Sequence, residues 1–226
     1  MAMDNNSQHN ILKGYNMLLY FAGSMIMYEP SEECVVDFWN NGILKNLPVS
    51  STNPTFIKAA SQLRESCYDK TTTGKKIRED YFRLFARQEQ PLAPAFESAY
   101  KGNGHAPGFK MEQVTEFYNA YGWDARMRKK IQDDHLGLEL LFLTTMVEKY
   151  LEFDDEACRN EMSSEIRRFI DSHIFSWIHK WNNKIQNESN TLCYKGIGTL
   201  ILACSEDIFS ILKGQTASRT TNKIKN

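Results

Sequence analysis

Residues 193–211 read CYKGIGTLILACSEDIFSI. Cys193, Ile197, Leu200, Cys204, Ile208 and Ile211 recur at steps of three and four, the spacing of one helix face. Gly196, Thr199 and Ala203 form a strip of small side chains beside that face, where a second helix can come close. Working back towards the N-terminus, Leu136, Leu140, Leu143, Val147, Tyr150 and Leu151 make a second stripe. Leu138, Leu141 and Phe142 fall outside it, so this helix is apolar on most sides and belongs in the interior. Leu12, Tyr15, Leu19, Ala22 and Ile26 make a third stripe. All six prolines (Pro30, Pro48, Pro54, Pro91, Pro94 and Pro107) lie in the first half. Because proline breaks helix interiors, the proline-free second half reads as long helices.

The pattern predicts helices at 8–28, 31–45, 54–70, 75–86, 111–121, 132–153, 155–172, 175–187 and 191–213, with no period-two run bounded by turns. The fold class is therefore all-α: a single-domain helical bundle of about nine to eleven helices over residues 1–213. Residues 214–226 (GQTASRTTNKIKN) lack an apolar period and are expected to form a disordered tail. Residues 87–110 hold three prolines and three glycines and read as a long ordered loop, or as a short helix between turns.

Composition narrows the function. With 226 residues, 42% apolar and 12% aromatic, the chain can bury a substantial core and is not of disordered or collagen-like composition. Lys and Arg total 27 against 28 Asp and Glu, so the basic excess of a nucleic-acid binder is missing. Residues 124–165 carry eleven acids against six bases, which suits either a solvated surface or a face for a basic partner. Cys34, Cys67, Cys158, Cys193 and Cys204 are odd in number and widely spaced, without CxxC, so neither a disulfide framework nor a zinc site is expected. The apolar stretch Tyr15–Tyr28 is interrupted by Asn16, Gly23 and Ser24 and followed by Glu29, Glu32 and Glu33. It reads as a first core helix rather than a secretory signal or membrane span, which predicts a soluble cytoplasmic protein.

HExxH, GxSxG, GxxxxGK[ST] and GxGxxG are all missing. His173 and His179 stand six apart, about 240° around a helix, and do not chelate from one face, so no metal is expected. Three clusters remain. The first runs from Tyr81-Phe82-Arg83-Leu84-Phe85 into Pro91-Leu92-Ala93-Pro94-Ala95-Phe96-Glu97-Ser98-Ala99-Tyr100, and reads either as a packed helix–loop corner or as a rigid apolar wall for a peptide. The second is Asp133-Asp134-His135-Leu136-Gly137-Leu138-Glu139-Leu140. Its aspartates suit a helix start, and His135 and Glu139, four apart, are able to pair. The third is Phe169, His173 and Trp177, an aromatic ladder at helical spacing that reads as interhelical packing.

In this order and spacing the clusters resemble the TorD/DmsD family of all-helical redox-enzyme maturation chaperones, over about residues 10 to 212. The resemblance rests on Tyr81, Leu84 and Phe85; on Pro91, Pro94, Glu97, Ser98 and Tyr100; on Tyr118, Tyr121, Gly122 and Trp123; on Asp134, His135, Glu139, Leu140 and Phe142; and on Phe169, His173 and Trp177. Asp133 stands where the family often has proline, and Ala86 where glycine is common. The resemblance implies a TorD-like bundle that binds rather than catalyses. Its partners would be the twin-arginine signal peptide and apo-protein of a molybdopterin oxidoreductase of anaerobic respiration. The chaperone would assist cofactor insertion and delay export, with no cofactor of its own, no nucleic acid and no stable membrane insertion. Guanine nucleotide has been discussed for relatives, but no phosphate-binding loop is present here. The implied peptide site combines carboxylates with an apolar wall: Asp134, with Glu139 nearby, for the arginines, and Tyr81, Leu84, Phe85, Pro94, Tyr100 and Leu138 for the apolar run, with Glu97 and His135 also in the site. Two other functions fit the same residues: a helical regulatory or interaction protein with another partner, and a small hydrolase using Asp134 and His135.

Overall fold

Helix α9 (Leu192–Lys223) is the axis around which the other elements pack. Its stripe residues Cys193, Ile197, Leu200, Cys204 and Ile208 are wholly buried. The small-residue strip does what the sequence suggests: α3 (Pro54–Tyr68) lies so close that a Cβ on Gly196 would meet Leu63 Cδ2 at 2.8 Å. On another side Gly198 admits Asn182 and Ile185 of α8 (Ile178–Glu188). The computed structural model describes residues 5–69, 73–88, 90–101 and 109–223.

The remaining long helices are α1 (Asn5–Met27), α4 (Gly74–Tyr81), α5 (Phe109–Ala120), α6 (Leu136–Glu152) and α7 (Glu156–Phe169), with a single-turn α2 at Glu32–Val35. Among the described residues there is no strand, only an isolated bridge between Phe96 and His135. The bundle is all-α, as expected. Helix α6 packs between α1 and α7, and α1 and α7 also touch α9, which closes one core. Phe142 on α6 sits at the centre of an aromatic nest formed with Phe117, Tyr118, Trp123 and Phe169. The helix starts follow local chemistry. Asn53 accepts from Thr55 N at 2.9 Å ahead of Pro54, Thr73 accepts from Lys76 N, and Asp155 accepts from Cys158 N at 2.8 Å.

Three differences from the expected helices have physical causes. The stretch 31–45 is broken, because Gly42 takes a left-handed φ of 72° that turns the chain between a π-helical turn at Val36–Asn40 and a short 3-10 turn at Ile43–Lys45. Helix α6 begins at Leu136 rather than 132. Its N-cap is His135, whose Nδ1 accepts from Gly137 N at 3.0 Å, and not either aspartate. Helix α9 continues to Lys223, past the expected end at 213, so the segment expected to be a disordered tail is helical that far. Residues 102–108, part of the expected 87–110 loop, lie outside the described residues, as do 224–226.

Candidate functional site

The motif segments do assemble, and they assemble into a buried block. Leu92 N donates to Arg83 O at 3.1 Å and Ala93 N to Leu84 O at 3.0 Å, which ties the proline-rich segment to the end of α4. Further on, Glu97 N donates to Asp134 O at 2.9 Å and Leu136 N to Ala95 O at 2.8 Å, tying the same segment to the start of α6. The ladder closes the block from the π-helical turn Ile170–Phe175 that follows α7 and from the N-cap of α8: His173 Nδ1 lies 3.1 Å from Glu97 Oε2, and Tyr100 stacks on Trp177 with centroids 5.4 Å apart. Lys101 also ion-pairs with Glu97.

Each expected site residue can be placed. Leu84, Glu97, Leu138 and Glu139 are fully buried, Asp134 is 1% exposed, and Tyr81 and His135 are below a tenth. Tyr81 donates its hydroxyl to Met27 O at 3.2 Å. Phe85, Pro94 and Tyr100 are half-buried, and Phe85 is taken up by contacts with Trp181 and Tyr194. Asp134 Oδ2 accepts from Ser98 N at 3.1 Å. Asp134, expected to meet an arginine pair, is therefore turned inward and braces the loop, and Glu139 is buried as well. His135 and Glu139, whose spacing allows a pair, do not form one. His135 is committed to its cap, and neither Glu139 oxygen receives a hydrogen bond.

This burial controls the ionisation. Burial first, then the charges of Glu97 and Asp134, pushes the Glu139 carboxyl well above the ordinary carboxylate range. Beside Glu97, a protonated Glu139 becomes a donor, which gives two neighbouring carboxyls a way to coexist. Burial lowers His135 to about 4, so its imidazole is neutral and free to accept from Gly137 N. Just upstream, Arg128 grips Asp133 through Nε at 2.9 Å and Nη2 at 2.6 Å while Thr115 donates to the same carboxylate. Burial would raise Asp133, but these bonds outweigh it and hold it below its usual value.

A large open groove of about 1080 Å³ lies elsewhere, between α1, residues 28–48 and the outer side of α6. Met17 is 65% exposed there, Tyr20 61%, Ile43 52% and Tyr28 44%. Three glutamates (Glu29, Glu148 and Glu152) and one lysine (Lys13) line it. Sequence reasoning missed this groove. The available signal was that α1 carries Met17, Leu18, Tyr20, Phe21 and Met25 in addition to its stripe, so it is apolar almost all round and needs a second partner. Among the described residues no group of three His, Cys, Asp or Glu side chains is placed to hold a metal ion, and no helix is long and apolar enough to cross a membrane. The five cysteines are all free.

Residues 52–183 match the family described as "Nitrate reductase delta subunit". The chain belongs to that family. Relatives named "Chaperone protein TorD" are similar at low identity. One from Vibrio parahaemolyticus is 22% identical over 163 residues, covering 72% of this chain and 74% of the relative. One from Vibrio cholerae is 19% identical over 168 residues, covering 71% and 74%. The family and these relatives bear out the TorD/DmsD resemblance, and with it a place among maturation chaperones rather than enzymes. The family match contains the whole buried block, but only the α6 side of the groove falls within it.

Proposed function

We propose that this chain is a chaperone that binds the twin-arginine leader and apo-protein of a molybdenum-containing oxidoreductase, holding the enzyme back from export while its cofactor is inserted. The observation that carries the reading is a large apolar groove edged with carboxylates, on a chain of a family whose named relatives are chaperones. A twin-arginine leader has a basic pair followed by an apolar run, and such a segment needs both features in its receptor. At about 1080 Å³ the groove exceeds the usual small-molecule range of about 300–1,000 Å³ and suits a polypeptide better. In this reading Asp134, His135, Glu97 and Glu139 serve the site from behind, by fixing where α6 begins and thus how it faces α1.

The test is calorimetric titration of the full chain with synthetic twin-arginine leaders of molybdenum reductases. At least one leader should bind with micromolar or better affinity, and replacing both arginines by alanine should weaken it about tenfold or more. Equal binding of the alanine peptide, or of a scrambled one, would remove the leader from the reading.

A further inference from the structure

The groove has a direction and a floor, and both bear on how a leader would sit in it. Asn16 on α1 faces Thr144 on α6, and Gly23 faces Gly137 and Leu140, so the two helices run antiparallel. Glu148 and Glu152, one and two turns beyond Thr144, therefore lie towards the N-terminal end of α1. Tyr28 and Glu29 lie at the opposite end. Glu148 and Glu152 are four apart on one helix face, both exposed, and among the described residues neither is in an ion pair. Two adjacent carboxylates match two adjacent guanidinium groups and outnumber Lys13, which lines the same end, whereas Glu29 is the lone carboxylate lining its end.

The floor carries one polar side chain out of balance. Asn16 is 7% exposed and donates Nδ2 to Thr144 O at 3.0 Å. A carbonyl only accepts, so this bond fixes which end of the amide is the nitrogen. Asn16 Oδ1 is left buried without a donor. Asn16 belongs to the groove lining, but its Oδ1 has no exposed surface, so a donor from a bound chain reaches it only by displacing a neighbouring side chain.

We infer that the groove seats the apolar run of the leader between Met17, Tyr20 and Ile43, with its arginine pair on Glu148 and Glu152 and a leader N–H donated to Asn16 Oδ1. This inference rests on the leader-binding reading and adds its seat, its direction and its polar anchor. The basic pair lies at the Glu148 end, and the apolar residues run towards Tyr28. Met17 and Tyr20 are three apart on α1, so they present neighbouring anchors to the incoming segment.

The experiment titrates the same leader into the full-length wild type and into Tyr20→Glu, Asn16→Leu, Glu29→Lys and the double variant Glu148→Lys/Glu152→Lys, with thermal melting and sedimentation of each free protein. Tyr20→Glu and the double reversal should each weaken binding about tenfold or more, because each removes an anchor from the interface. The double reversal should also flatten the salt dependence. Asn16→Leu should weaken binding several-fold, and Glu29→Lys should change it least. If wild type binds no leader, the chaperone reading fails and takes this inference with it. If wild type binds and the first two variants bind equally well, the seat is elsewhere while the reading stands. A larger loss from Glu29→Lys than from the double reversal overturns the direction. If Tyr20→Glu instead dissociates an oligomer of the free protein without changing leader affinity, the groove is covered by a second copy and the inference is overturned. A photo-reactive residue in the leader's apolar run guards against misfolded variants: it should crosslink wild type at Met17 or Ile43, and crosslinking only outside α1 and residues 28–48 would overturn the seat.

Discussion

The block around Glu97 buries three carboxylates, whereas the groove leaves Met17, Tyr20 and Ile43 in contact with solvent. Each region inverts the ordinary rule of charges outside and apolar groups inside. Buried charge is costly: Glu97 and Asp134 find specific partners while burial pushes Glu139 towards its neutral form, so the block fixes one arrangement of four chain segments. Exposed apolar surface is costly in a different way, because it waits for something to cover it. In the proposed reading the block is the frame and the groove the working face. The family match, which spans the block and only one side of the groove, is a match to the frame.

Changes in the block should act on stability, and those in the groove on binding. The largest stability effect is expected at Asp80, one residue before Tyr81. Its buried carboxylate accepts from Asn190 N, Thr191 N and Thr191 Oγ1 just ahead of α9 and pairs with Arg83 at 2.8 Å. Asp80→Ala leaves the start of the axial helix without its acceptor and should cost about 3–5 kcal/mol in chemical denaturation. A loss below about 1 kcal/mol would mean that α9 is anchored by packing alone.

A smaller effect separates the two buried titrating groups of the block by sign. His135 titrates near 4 in the folded chain and near 6.5 when unfolded, so the unfolded chain binds the extra proton. Its contribution is complete above about pH 6.5 and is lost as pH falls towards 4, by about 3 kcal/mol in all. Glu139 acts oppositely. Its folded value is raised, so its contribution is present below about pH 4.5 and lost as pH rises. Glu139→Gln should therefore stabilise the protein at pH 7, by about 1–3 kcal/mol, and should steepen the remaining loss between pH 6.5 and 4. Denaturation at pH 7 and pH 5 checks both parts, and a destabilised variant at pH 7 would show that the carboxyl is used rather than merely tolerated.

How much of this was legible in the sequence depends on the kind of signal. The α9 stripe and the Gly196 strip gave the axis and its close neighbour, because periodicity and small size are local properties with direct packing consequences. The motif residues were legible as a group, but their burial was not. Asp134 and Glu139 look like surface carboxylates in any one-dimensional reading, and only the loop folded over them by Glu97 and Leu136 hydrogen bonds puts them inside. The groove was hidden for the converse reason. An apolar α1 says that a face wants covering, not whether the chain itself covers it. The left-handed Gly42, which breaks the pattern and leaves Ile43, Leu44, Leu47 and Pro48 in the groove lining, depends on tertiary packing that a helical pattern at 31–45 does not reveal.

The smallest stability effect follows from that last point. Met17→Ser removes an apolar side chain that is 65% exposed, so it forfeits little burial and should alter the melting free energy by no more than about 0.5 kcal/mol. The same change should weaken leader binding several-fold, whereas Asp80→Ala, measured well below its melting temperature, should leave affinity within about twofold. The two variants thus cross over: one large in stability and silent in binding, the other the reverse. If Met17→Ser instead destabilises by 2 kcal/mol or more, α1 is held by contacts that its exposure does not show, and the division between frame and working face would not hold at α1.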